Sequence, residues 1–279
     1  MVEFISAGDT WQQAYGGDTY NTAIYLARAG LAVDYQTQLG DDEFSDKIMA
    51  LLAKEGVGTD CVIRKQGRQP GLYTIHNDDS GEREFTYWRN NSPARELFDT
   101  PIYPRNRYNV FYFTGITLAI IRSGFPNFVE FLKTLREQNC TIIFDPNYRP
   151  KLWESTVSAQ NYYRAVLPYC HTVLPTLDDE TLLWGVTTVE QCKALYDEFG
   201  IEELVIKAPS LSCHVYTEEG HIQKQASEVK PVDTTGAGDS FNAGYIAARC
   251  SGEGIATAIS NAQALAAQVV QHRGAILAN

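Results

Sequence analysis

Positive charge is scarce in this chain: 23 Lys and Arg stand against 34 Asp and Glu, a formal net charge of −11. That balance argues against a nucleic-acid or anionic-membrane partner. It also means that any anion site must gather its few basic groups locally, which makes individual arginines informative. No apolar stretch has the length of a membrane span, and Met1-Val2-Glu3-Phe4 lacks the basic and apolar regions of a signal peptide. No C-x-x-C pair occurs among the six cysteines, Cys61, Cys140, Cys170, Cys192, Cys213 and Cys250. Scattered single cysteines read as free thiols in a reducing, cytoplasmic setting, without the partners of a metal cluster or a Cys nucleophile. No G-x-x-x-x-G-K-[ST] segment is present, which excludes a P-loop. No G-x-G-x-x-G follows a first strand, which sets aside a dinucleotide oxidoreductase, and the protein-kinase motifs are missing.

What remains is 44% hydrophobic and 20% charged over 279 residues, enough for one large α/β domain or two small ones. Residues 18–29 read as a helix ending at Gly30, Val33 to Leu39 alternates like a strand, and Asp42 to Lys54 is a second helix stopped by Gly56. Gly71 to His76 and Glu82 to Arg89 are alternating runs separated by Asn77-Asp78-Asp79-Ser80-Gly81, a hairpin signal. Beyond Asn109, short apolar strands (Val110–Phe113, Thr141–Phe144, Thr172–Leu174, Glu203–Ile206) alternate with helical stretches such as Phe125–Glu137 and Val189–Phe199. That order predicts a mostly parallel sheet covered on both faces, with ligands beyond the carboxyl ends of its strands.

The most informative run is Asp233-Thr234-Thr235-Gly236-Ala237-Gly238-Asp239-Ser240-Phe241. It follows an expected strand end, Glu228 to Val232, and opens a helix of small and apolar residues. First-turn N–H groups have no intrahelical partner, and the helix dipole adds partial positive charge there. Gly236, Ala237 and Gly238 let an anion approach that backbone closely. Asp239 places a carboxylate in the same turn. An anion cradle with a built-in base suits phosphoryl transfer to a hydroxyl.

This string resembles the signature of the PfkB (ribokinase-like) carbohydrate kinases, in which the matching Asp is the general base. The resemblance covers essentially the whole chain. It implies a three-layer α/β/α core with a mostly parallel sheet, residues 17–60 and 93–279, and a small β-sheet lid, residues 1–16 and 61–92. Within the family, the closest resemblance is to the 2-keto-3-deoxygluconate kinases. Gly16-Gly17-Asp18-Thr19-Tyr20-Asn21 is similar to their sugar-contact segment, making Gly17, Asp18 and Asn21 substrate contacts. Taken without the resemblance, the same residues are a helix start capped by Asp18 or Thr19.

Tyr87-Trp88-Arg89, with Tyr73 on the partnering strand, resembles the family's Tyr-aromatic-Arg element. In a strand Tyr87 and Arg89 share a face, so a phenol and a cation converge as an acidic sugar requires. Asp145-Pro146-Asn147-Tyr148-Arg149 resembles the Asp-x-Asn-Tyr-Arg segment. A guanidinium fork matches a carboxylate, so Arg149 is the expected carboxylate contact and Arg89 the second. Arg149 also fits an ordinary structural ion pair.

On the nucleotide side the resemblance implies contacts from Asn147, Lys207, Ser212, Thr235, Gly236 and Gly238. Residues 207–212, Lys-Ala-Pro-Ser-Leu-Ser, lack the glycines that the family carries near ATP. Asp179 in Thr176-Leu177-Asp178-Asp179 matches an acidic position that influences magnesium, acting through water, although a helix-capping cluster reads equally well. Family members begin with a core strand bearing a Gly-Glu pair; here Met1 to Phe4 reads as the tail of that strand, with the first core strand missing. The implied reaction is ATP- and Mg²⁺-dependent phosphorylation of 2-keto-3-deoxygluconate by a homo-oligomer joined through the lid. Another sugar kinase of the family, for fructose or ribose, and a catalytically silent sugar-binding protein stand as alternatives.

Overall fold

Strand side chains at the centre of the molecule alternate between two apolar layers. Along Thr141–Asp145, Ile142 and Phe144 enter one layer and Ile143 the other; Leu204 and Ile206 oppose Val205 in the same way along Glu203–Ala208. A sheet with both faces apolar must be covered on both. The computed structural model describes residues 1–77, 83–105 and 107–278. Its first half runs β1 (Val2–Ala7), β2 (Thr10–Tyr15), α1 (Asp18–Arg28), β3 (Thr37–Leu39), α2 (Glu43–Lys54), β4 (Val62–Arg64), β5 (Leu72–Asn77), β6 (Arg83–Trp88), β7 (Val110–Thr114), α3 (Gly115–Ile120) and α4 (Phe125–Glu137). Its second half runs β8 (Thr141–Asp145), α5 (Thr156–Val166), β9 (Thr172–Val173), α6 (Leu177–Trp184), α7 (Val189–Asp197), β10 (Glu203–Ala208), β11 (Ser212–Thr217), β12 (Gly220–Gln225), α8 (Ala237–Cys250) and α9 (Ile255–Val270).

The six-stranded sheet has the order β12-β11-β10-β9-β8-β7. Pairing is parallel from β7 to β10 and antiparallel through β11 and β12. One face packs on α4, α5, α6 and α7, where Phe113 and Phe144 stack at 4.7 Å and Phe128 meets Phe113 edge-on at 5.1 Å. Burying such a ring stabilises by about 1.5–3 kcal/mol. The other face packs on α1, α8 and α9. The three-layer arrangement with a mostly parallel sheet is therefore present.

A separate four-stranded sheet has the order β2-β1-β5-β6. Residues 2–7, expected to include the tail of a core strand, pair instead with β2 antiparallel and with β5 parallel, and β7 is an edge strand of the larger sheet. Beside β7 lies a cavity of about 760 Å³ lined by α1, α4 and residues 31–36. Residues 78–82, most of the expected hairpin turn, lie outside the described residues.

Two local expectations need correction. The strand expected over Glu228–Val232 does not form: irregular chain follows β12, and Val232 and Asp233 both donate to the Val270 carbonyl at the end of α9. Pro231 has no N–H for a ladder and breaks the run. Of Val33–Leu39 only Thr37–Leu39 is a strand, with an isolated bridge from Asp34 to Gly58 ahead of it. The β11–β12 hairpin was not anticipated.

Candidate active site

The expected residues meet where strands of the large sheet end. Thr114 closes β7, Asp145 closes β8 with Pro146 and Asn147 after it, Thr176 bridges Lys207 near the end of β10, and α8 begins alongside. Asp233 organises the approach to α8. Its Oδ1 accepts from the Thr235 N–H and its Oδ2 from the Gly274 N–H, both at 2.8 Å. An aspartate two residues before the amide that it captures is a local turn-forming pattern, so this role was present in the sequence but overlooked. Gly236 follows at φ 77°, the left-handed region, and a Cβ there would lie 2.8 Å from the Ala275 methyl. No side chain caps α8, and the space over Gly238 is open. The Ala237 N–H donates to the Thr234 carbonyl at 3.2 Å, and the turn at Gly238 leaves room for an anion.

Asp239 sits partly buried in that first turn. Asn21 Nδ2 donates to its Oδ2 at 2.8 Å, and Thr22 Oγ1 donates to its carbonyl at 3.3 Å. Burial, then the Asp18 charge, raise the Asp239 carboxyl to about 7; the Asn21 hydrogen bond and the Lys207 charge oppose that shift. A base near neutrality is suited to removing a proton at physiological pH. Asp18 accepts from Thr114 Oγ1 at 2.5 Å and from Asn147 Nδ2 at 3.4 Å, and burial raises its pKa too. Asn147, expected beside the nucleotide, thus lies against Asp18.

Gly17 has φ 154°, a value that only glycine adopts comfortably, and turns the chain into α1. Around Gly16 three polar groups converge: a Cβ would meet Glu3 Oε2 and Tyr73 OH at 3.1 Å and Asn21 Oδ1 at 3.8 Å. Glu3 is buried and accepts from Tyr73 OH at 2.7 Å. Nothing in the reading of the sequence singled it out; only the β1–β5 register sets it opposite Tyr73. Tyr73 also pairs directly with Tyr87 across β5–β6, rings 5.7 Å apart. The Arg89 guanidinium stands 4.1 Å from the Tyr87 ring centroid, the shared face expected of the two, and both Tyr87 and Trp88 are exposed. Burial lowers the Arg89 pKa.

Arg149 and Asp179 are ion-paired: Arg149 Nη1 donates to both carboxylate oxygens at 3.0 and 3.1 Å, and to the Tyr148 carbonyl at 2.8 Å. Lys207 Nζ donates to Asn242 Oδ1 at 3.0 Å and lies 3.6 Å from Asp145 Oδ1. Ser212 is not drawn in: its hydroxyl turns to the Pro209 carbonyl at 3.1 Å. Ser210 and Leu211 take left-handed φ, 58° each, where the glycines are lacking.

The family profile of the "pfkB family carbohydrate kinase" proteins matches residues 2–279. The 2-dehydro-3-deoxygluconokinase of Dickeya dadantii is 37% identical over 291 aligned positions, covering 99% of this chain and 94% of the relative. The enzyme of that name from Escherichia coli K12 is similar at the same identity and coverage. Among solved structures, a PfkB protein from Polaromonas sp. JS666 superimposes with a TM-score of 0.87 at 24% identity, covering 97% of this chain and 93% of the other. With the glycine-flanked start of α8 and its aspartate set at the sheet's carboxyl edge, the chain belongs to the PfkB family of carbohydrate kinases.

Proposed function

We propose that this protein transfers the γ-phosphoryl group of ATP to the terminal hydroxyl of 2-keto-3-deoxygluconate (2-dehydro-3-deoxygluconate). The observation that carries the reading is the placement of Asp239: its carboxyl is held by Asn21 of the Gly16–Asn21 segment and lies in the same first turn of α8 as the open space at Gly238. An acceptor above Gly17 and an anion at Gly238 would therefore meet at one carboxylate. The substrate is supported by the names of the relatives at 37% identity and by two arginines, Arg89 and Arg149, beside the acceptor side.

Asp239 accepts the hydroxyl proton as the acceptor oxygen attacks the γ-phosphorus. The bond to the β–γ bridging oxygen breaks and ADP leaves. The amides of Gly236 and Gly238 stabilise charge on the transferring oxygens, while the Ala237 N–H is held by the Thr234 carbonyl and keeps the turn in place. Tyr73, Tyr87 and Arg89 hold the acid with Arg149; Gly17, Asp18 and Asn21 line its floor. Thr235 and Lys207 are the proposed nucleotide-side residues, with Lys207 acting from its place beside Asn242, whereas Ser212 is turned to Pro209 and Asn147 to Asp18.

Among the described residues no group of three or more His, Cys, Asp or Glu side chains forms a metal cage. Asp179, ion-paired with Arg149, would be the acidic residue to influence a divalent ion, acting through water. Mg²⁺ bound in that way would neutralise phosphate charge and orient the γ-group.

The four-stranded sheet acts as a lid, and its exposed Trp11 and Trp88 support subunit pairing through that sheet. No helix among the described residues is long and apolar enough to cross a membrane, and the six cysteines are free, in keeping with a cytoplasmic enzyme. The Arg149–Asp179 pair favours a second reading, in which Arg149 is structural and the acceptor is a neutral sugar. A coupled ADP-release assay across 2-keto-3-deoxygluconate, its galactonate-derived epimer, fructose and ribose decides between them. Turnover of the acids alone supports the first reading; fructose or ribose as the best acceptor supports the second, and none at all defeats both.

A further inference from the structure

Asn242 is wholly buried three residues beyond Asp239, on the same face of α8. Its side chain ties three strands together. Nδ2 donates to Asp145 Oδ2 of β8 at 2.8 Å and to Tyr112 OH of β7 at 3.1 Å, while Oδ1 accepts from Lys207 Nζ of β10 at 3.0 Å. Lys207 and Asp145 stand 3.6 Å apart with side-chain exposures of 14% and 5%. A buried cation and a buried anion are tolerated when paired and when their remaining hydrogen-bonding capacity is met. The carboxamide does both at once: it accepts from the ammonium and donates to the carboxylate, which neither Asp nor Leu at this position can do.

We propose that Asn242 is a positioning residue for phosphoryl transfer, clamping Lys207 and Asp145 as a neutral couple one helical turn behind Asp239 so that the base faces a compensated charge. This rests on the reading of Asp239 as the base. The groups that bear on Asp239 are Asp18 and Tyr25 of α1, Tyr73 of β5, Tyr112 of β7, Asp145 of β8 and Lys207 of β10. Helix α9, packed against α8, carries no titratable side chain. Lys207 is thus the cation set against two carboxylates in this group, and its fixed place determines how much of their charge reaches Asp239.

The test compares the acid limb of kcat/KM for the sugar acid in wild type and in Asn242→Asp, Asn242→Ala, Lys207→Met and Asp145→Asn. Circular-dichroism melting of each variant accompanies the kinetics. Asn242→Asp adds a negative charge and Lys207→Met removes the positive one, so both move the limb to higher pH by at least about half a unit. Asn242→Ala moves it in the same direction, and Asp145→Asn moves it lower. In the Asn242 variants kcat falls more than tenfold while KM for the acceptor stays within about threefold. Lowered melting temperatures with an unmoved limb in the Asn242 variants would reduce Asn242 to a packing role and overturn the proposal. Should a variant not fold, Lys207→Met and Asp145→Asn shifting in the same direction, or not at all, overturns it independently. Failure of the base reading shows separately, as near-normal turnover in Asp239→Asn.

Discussion

Asn21 Nδ2 lies 2.8 Å from Asp239 Oδ2, a single hydrogen bond between side chains 218 residues apart in sequence. It joins the first turn of α1 to the first turn of α8, so the acceptor floor and the anion cradle share one rigid point. The other amide atom, Asn21 Oδ1, is buried with no partner among the described residues and faces the space by Gly16. A substrate hydroxyl reaching that oxygen would sit next to the base.

Replacing Asn21 by Ala should therefore act on chemistry and on binding together. A hydrogen bond to a charged group is worth about 1.5–3 kcal/mol. The variant is predicted to lose about 10–100-fold in kcat/KM for the acceptor, with its acid limb displaced to higher pH. Steady-state kinetics across pH check this; an unchanged limb would mean that Asn21 does not bear on Asp239 in solution.

The carboxyl of Asp239, raised to about 7 by burial and by Asp18, sets the pH dependence. Acceptor kcat/KM should fall as pH drops through that value, because the base becomes protonated. Stability follows the opposite course. A carboxyl whose pKa is higher folded than unfolded favours the folded state while protonated, and that advantage drains away as pH rises from about 4 toward the folded value. Asp239→Asn should then melt higher than wild type at pH 8, by on the order of 1–2 kcal/mol after solvent screening. The gap should close near pH 4. Paired thermal melts at both pH values measure it.

Arg149 is half exposed and bonded to Asp179, so its removal should hardly touch stability. If it also reaches the substrate carboxylate, Arg149→Ala should raise KM for the acid by about 10–100-fold and leave KM for any neutral acceptor unchanged. Equal losses for both acceptor types would assign Arg149 to its ion pair alone.

Leu211 is exposed at φ 58° in the turn between β10 and β11, next to Ser210 at the same φ. A left-handed conformation costs a residue with a Cβ about 1–2 kcal/mol, partly offset by the extra unfolded-state entropy of glycine. Leu211→Gly is predicted to stabilise by about 0.5–1 kcal/mol, read from urea unfolding at pH 7. Destabilisation would mean that the Leu211 side chain makes packing contacts that outweigh the backbone strain.

The start of α8 was legible in the sequence because its chemistry is local. Glycines, open amides and Asp239 occupy consecutive positions, and helix geometry places them without help from distant residues. Strand alternation likewise exposed β7, β8 and β10, whose side chains divide between two covered faces. Glu228–Val232 misled because an apolar ending hid a proline. The partners of Lys207 were out of reach: Asn242 and Asp145 lie on other elements, and only sheet order brings them together. The same holds for Glu3 under Tyr73 and for the Arg149–Asp179 pair.

The most direct test is single-turnover and steady-state ADP release from 2-keto-3-deoxygluconate and ATP by wild type and Asp239→Asn, with sugar-acid affinity of both measured by calorimetry. Wild-type turnover, a loss of at least about 10²-fold in the variant and retained binding are predicted. Variant turnover within a factor of about ten of wild type would contradict Asp239 as the group that takes the hydroxyl proton.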